Sequence, residues 1–124
     1  MPQIDWYKPC AYNEPRKHLF HREARKRLKA LAEALCLKRH EFDIRSNKGG
    51  IAVSGEAILH AENLYVQICQ PATAGDSGIL IRTCKGRGDY GGGANHFLPL
   101  SLLDDIGSLA DACLTVIARD GGRP

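Results

Sequence analysis

Between Arg16 and Lys29 the chain carries seven basic residues and one acidic residue, Glu23. Arg22, Arg25, Lys26 and Lys29 recur at i, i+3, i+4 and i+7, a spacing that gathers them on one face of an α-helix, and Arg16 and His18 extend that face. A row of cations so spaced can lie along a phosphate backbone and release its counterions. It can also be an ordinary solvated face, in which Glu23 and Arg27 form an i,i+4 ion pair.

The second stretch that invites chemistry is Lys85 to His96, KGRGDYGGGANH. Gly86, Gly88 and Gly91 match G-x-G-x-x-G, but a dinucleotide site needs a helix to start at once and aim its positive end at the pyrophosphate. No helical pattern begins there. What remains is a glycine-rich loop that sets Lys85 and Arg87 beside Tyr90, with Arg82 in the strand before it. Cations interleaved with an aromatic can follow a phosphate backbone or stack on a base. The partner-binding residues expected from sequence are therefore Arg22, Arg25, Lys26, Lys29, Arg82, Lys85, Arg87 and Tyr90.

Catalytic and metal chemistry have weaker support. His18 and His21 stand at i and i+3 without a third ligand, so no metal and no cofactor is expected. A nucleophile could be built from Cys69 or Cys84 with His60 or His96 and a carboxylate such as Asp89, which leaves a small Cys/His-dependent hydrolase or transferase as an alternative. Cysteines in strands are more often packing residues. The five cysteines, Cys10, Cys36, Cys69, Cys84 and Cys113, are odd in number and contain no C-x-x-C, which argues for reduced thiols rather than a disulfide framework.

These residues need elements to hold them. Phe20, Ala24, Leu28, Leu31 and Leu35 form an apolar helical stripe opposite the basic row, with Asn13 as cap and Pro15 in the first turn. From Glu41 the period changes to two. Phe42 to Ser46, Ile51 to His60, Leu64 to Gln70 and Ile79 to Lys85 read as four short strands joined locally, with Gly55 as a bulge inside the second. Leu64, Val66, Ile68, Ile79 and Ile81 should face the helices, and Tyr65, Gln67, Cys69, Arg82 and Cys84 should face away, together with Ser54, Glu56 and His60. A second helix follows, with apolar positions at Ile106, Leu109, Cys113 and Val116 or Ile117 and with Asp104, Asp105 and Ser108 as cap candidates. Cys36 and Cys113 fall on or beside the helical stripes and should be buried.

The expected fold is α+β: one domain over residues 1–124, an antiparallel four-stranded meander with an N-terminal basic amphipathic helix and a C-terminal helix. Residues 1–12 form an extended arm whose aromatics pack on the rest, and residues 119–124 form a disordered tail. With 44% hydrophobic and 25% charged residues the composition is that of an ordinary globular protein. No apolar run is long enough for a membrane span, so no membrane partner is expected. The net charge of +3 divides unevenly, with twelve basic against six acidic residues up to position 48 and five against eight after it. The N-terminal half should thus attract nucleic acid or an acidic protein surface.

The runs GILIRTCKGRGDYGGGANHFLPLSLLDD and RSNKGGIAVSGEAILH resemble small uncharacterised proteins carried on proteobacterial plasmids and integrated elements. The resemblance implies a bacterial cytoplasmic setting and a role in binding rather than catalysis. The function expected is a small non-catalytic binding protein that engages nucleic acid or a nucleoprotein complex through the basic helix and the Gly/Arg-rich loop. The alternative is a protein-binding inhibitor of a host defence complex.

Overall fold

In the computed structural model, which describes residues 4–70, 78–85 and 94–121, the basic stretch forms one helix, α1 (Glu14–Ala34). Its start is fixed by Asn13, whose side chain accepts a hydrogen bond from the Arg16 amide at 3.1 Å, and by Pro15 in the first turn. Its end is a Schellman turn. The Cys36 amide donates to the Glu33 carbonyl and the Leu37 amide to the Ala32 carbonyl, with Cys36 held at φ +59°. That geometry leaves Cys36 exposed, which corrects the expectation that it is packed beside the apolar stripe.

A 3-10 turn, Arg39–Glu41, leads into the sheet: β1 (Phe42–Asn47), β2 (Glu56–Ala61), β3 (Leu64–Cys69), β4 (Ile79–Thr83) and β5 (His96–Leu98). All neighbours pair antiparallel in the order β1-β2-β3-β4-β5, the meander expected from sequence with a short fifth strand added. The second strand is shorter than its alternation suggested. Residues 51–55 are irregular, Ile51 and Val53 are exposed, and Gly55 (φ +74°) ends a loop rather than making a bulge. β5 escaped notice because three residues are too few to show a period.

A second 3-10 turn, Leu100–Asp104, precedes α2 (Ile106–Val116), which continues as a π-helical turn over Ile117–Gly121. Asp105 caps α2, its carboxylate accepting from the Ser108 amide at 3.1 Å and from the Ser108 hydroxyl at 2.7 Å. These bonds hold its carboxyl below the usual aspartate range.

Both helices cover one face of the sheet. Ala24, Leu28 and Leu31 of α1 and Leu109, Cys113 and Val116 of α2 close on Ala57, Leu59, Val66, Ile68, Ile79 and Ile81 in a single hydrophobic core. The pairing rows put Asp43, His60, Tyr65 and Arg82, and next to them Arg45, Ile58, Gln67, Leu80 and Phe97, on the opposite face. The arm belongs to the fold as well: Trp6 is buried and its indole N–H donates to the Asp104 carboxylate at 3.0 Å.

Candidate nucleic-acid interface

The apolar stripe of α1 turns Ala24, Leu28 and Leu31 toward the sheet, and the basic row is therefore carried sideways to the sheet's edge. There Arg22, Arg25, Lys26 and Lys29 line a groove of about 280 Å³ whose remaining wall is Ile44 of β1. All four cations are exposed and Ile44 is half-buried. From Arg22 to Lys29 the row rises roughly 10 Å along the helix axis. The Arg25 guanidinium reaches Ser46 Oγ at 3.4 Å and so ties the row to β1.

Charge along the row is not uniform. Glu23 lies 3.7 Å from Arg22, 3.5 Å from Lys26 and 3.6 Å from Arg27, and Arg27 also approaches Asp104 at 3.7 Å. Among the described residues no carboxylate pairs with Arg25 or Lys29. The strongest unneutralised potential thus lies on the β1 side of the helix, inside the groove.

The other expected site residues are elsewhere. Arg82 lies on the helix-free face of β4, its guanidinium 4.2 Å from the centre of the Tyr65 ring. Lys85 is exposed just beyond the end of that strand. β4 stands three strand spacings from β1, about 14 Å, and Arg82 points to the opposite face from α1, so one ligand contact cannot join the two groups. Arg87 and Tyr90 lie outside the described residues, as does Asp89.

No family model, curated protein or solved structure matches this chain. The functional reading therefore rests on the residues themselves.

The thiols speak against the nucleophile reading. Burial pushes the Cys69 thiol above its ordinary value, and the buried Cys84 thiol donates to the Ala61 carbonyl at 3.3 Å. A nucleophilic thiolate needs the opposite environment. His60 is fully buried, its Nδ1 accepting from Arg45 at 3.3 Å and its ring packed edge-on against Tyr65. His21 is buried as well, and its Nε2 bonds to the Ser54 carbonyl at 2.8 Å. Among the described residues no group of three metal-ligating side chains occurs, and no helix is long and apolar enough to cross a membrane.

Sequence reasoning missed Ile44 and Ser46. It located the cations by helical spacing, but which strand would close the groove depends on where α1 lies over the sheet. The one available signal was that β1 is the first strand after the helix, reached by a short connection.

Proposed function

We propose that this chain is a non-catalytic binding protein that lays a nucleic-acid backbone in the groove between α1 and β1. The observation that supports this reading is the convergence of Arg22, Arg25, Lys26 and Lys29 on one groove, two of them without a carboxylate partner among the described residues. Each phosphate they neutralise would release counterions, and that release drives association. Ile44 gives the groove an apolar wall against which a sugar or base loses little by leaving water.

Salt dependence of binding to short DNA and RNA, followed by fluorescence anisotropy, tests the proposal. Affinity should fall linearly in log[salt], and replacing one groove cation by Ala should lower the slope by about 0.9 on duplex DNA and about 0.7 on a single strand. Reversing all four charges should abolish binding and leave the denaturation midpoint nearly unchanged, because exposed charges contribute little to folding. Failure to bind any of these nucleic acids at low salt would overturn the reading. The groove would then fit the acidic surface of a partner protein.

A further inference from the structure

The strand that walls the groove is also an edge of the sheet. β1 pairs with β2 on one side, and among the described residues no strand pairs with it on the other. It is six residues long and has no proline or bulge, so its guard against stray pairing is the charge of Asp43 and Arg45. Such an edge accepts another strand, and the sequence of β1 determines which one fits.

Two copies of β1 meeting antiparallel about a two-fold axis normal to the sheet must pair residues that share a face, so the axis passes through a residue. Centring on Asp43 sets Asp43 against its own copy, and centring on Arg45 sets Arg45 against its own copy. Both oppose like charges. Centring on Ile44 sets Asp43 against Arg45 twice, Ile44 against Ile44, and Phe42 against Ser46 twice. Parity and charge thus favour this register among those centred within the charged stretch.

The same two-fold keeps both helix layers on one face. α1 packs over β1 and β2, so the two α1 axes would stand two to three strand spacings apart, about 10–15 Å. Helices about 10–12 Å across would then meet over the seam, with the two basic rows along their junction. Eight cations along that junction repel, and a polyanion lying over it offsets the repulsion.

We infer that β1 is a homodimer edge in register about Ile44, and that pairing joins two basic rows into one nucleic-acid surface whose bound ligand offsets their repulsion. The ligand half of this inference rests on the function proposed above. The pairing half does not.

Sedimentation velocity with a labelled 12-nucleotide oligodeoxythymidine and with a duplex of equal length tests the first half. The wild-type protein should pass from monomer to a complex of two protomers per oligonucleotide. Arg45→Asp sets acid against acid and should abolish the two-protomer complex, with affinity reduced about tenfold or more. Because this variant also loses the Arg45 bond to His60, the charge exchange Asp43→Arg with Arg45→Asp is the deciding variant. It leaves that bond broken yet should restore the dimer. Ile44→Cys in a Cys36→Ser background tests the pairing directly, since opposed residues 4.5–5.5 Å apart between Cα atoms are within disulfide reach. A one-to-one complex without cross-linking would overturn the edge pairing and spare the nucleic-acid reading. Cross-linking without any oligonucleotide binding would do the reverse.

Discussion

His21 shows how a polar side chain on a helix can be drawn inside for a clear physical reason. Carbonyl oxygens only accept, so its Nε2 must carry the proton given to Ser54, and Nδ1 is left as a buried acceptor without a partner among the described residues. One turn earlier, Lys17 is buried as well and donates to the Gly50 carbonyl at 2.7 Å. The helix uses both polar side chains to satisfy carbonyls of the 48–55 loop, which its apolar stripe could not do. A proton on Nδ1 would add charge to a buried site already facing Lys48 and Lys17, with the Ser54 carbonyl bond and Glu56 to favour it. Burial, and then those lysines, hold the His21 pKa below its ordinary value of 6.5. Because the folded state binds fewer protons than the unfolded one, stability is full above the unfolded pKa and falls as pH drops below it. The slope is at most about 1.4 kcal/mol per pH unit for one proton. Urea midpoints between pH 7.5 and 5 should fall in wild type. They should fall less in His21→Gln, which keeps a donor for Ser54 and does not titrate.

At the scale of elements, two residues in left-handed backbone have opposite chemistry. Gly55 at φ +74° would, with a Cβ, press on the Asn47 carbonyl oxygen and come within 2.8 Å of the Lys48 Cα, both backbone. Gly55→Ala should therefore cost at least about 1–3 kcal/mol. Cys36 occupies the position of the α1 Schellman turn that glycine prefers, at φ +59°. Cys36→Gly should raise stability by up to about 1 kcal/mol, and chemical denaturation of the two variants should move the midpoint in opposite directions. These positions also mark where the sequence was legible. The α1 stripe, its Asn13 cap and the inward residues of β2 to β4 follow from repeated spacing, and repetition survives whatever the tertiary context. Ile51 and Val53 imitate a strand over only two apolar positions, and the glycines around them decide otherwise. His21 is invisible to a hydrophobic pattern because what it meets is a carbonyl on a distant loop. The site was legible in the same measure: the cations come from spacing, whereas the groove, and the separation of Arg82 from it, come from sheet order.

For the whole molecule, the N-terminal arm sets whether the charged helix has a fixed place. Gln70, at the end of β3, accepts from the Cys10 amide and donates to the Trp6 and Lys8 carbonyls, so the arm is clamped to the sheet by backbone bonds. Trp6 then reaches across the helical layer. Its ring meets Phe20 edge-on at 6.0 Å and lies 5.5 Å from the Arg27 guanidinium, while its N–H bonds to Asp104. Arg27 spans Glu23 and Asp104, which links the arm, α1 and the turn before α2 in one cluster. A basic helix whose neighbouring cations repel needs such an anchor, since the row itself adds nothing to folding. Trp6→Ala removes a buried indole and leaves Asp104 without its donor, at a cost of about 3–5 kcal/mol. That is a large share of the roughly 5–15 kcal/mol that holds a domain together. Trp6→Phe keeps an aromatic ring against Phe20 and Arg27 and should cost clearly less. If the arm were only a loosely attached segment, both variants would keep the wild-type urea midpoint. The expected result is a large drop for Trp6→Ala and a smaller one for Trp6→Phe.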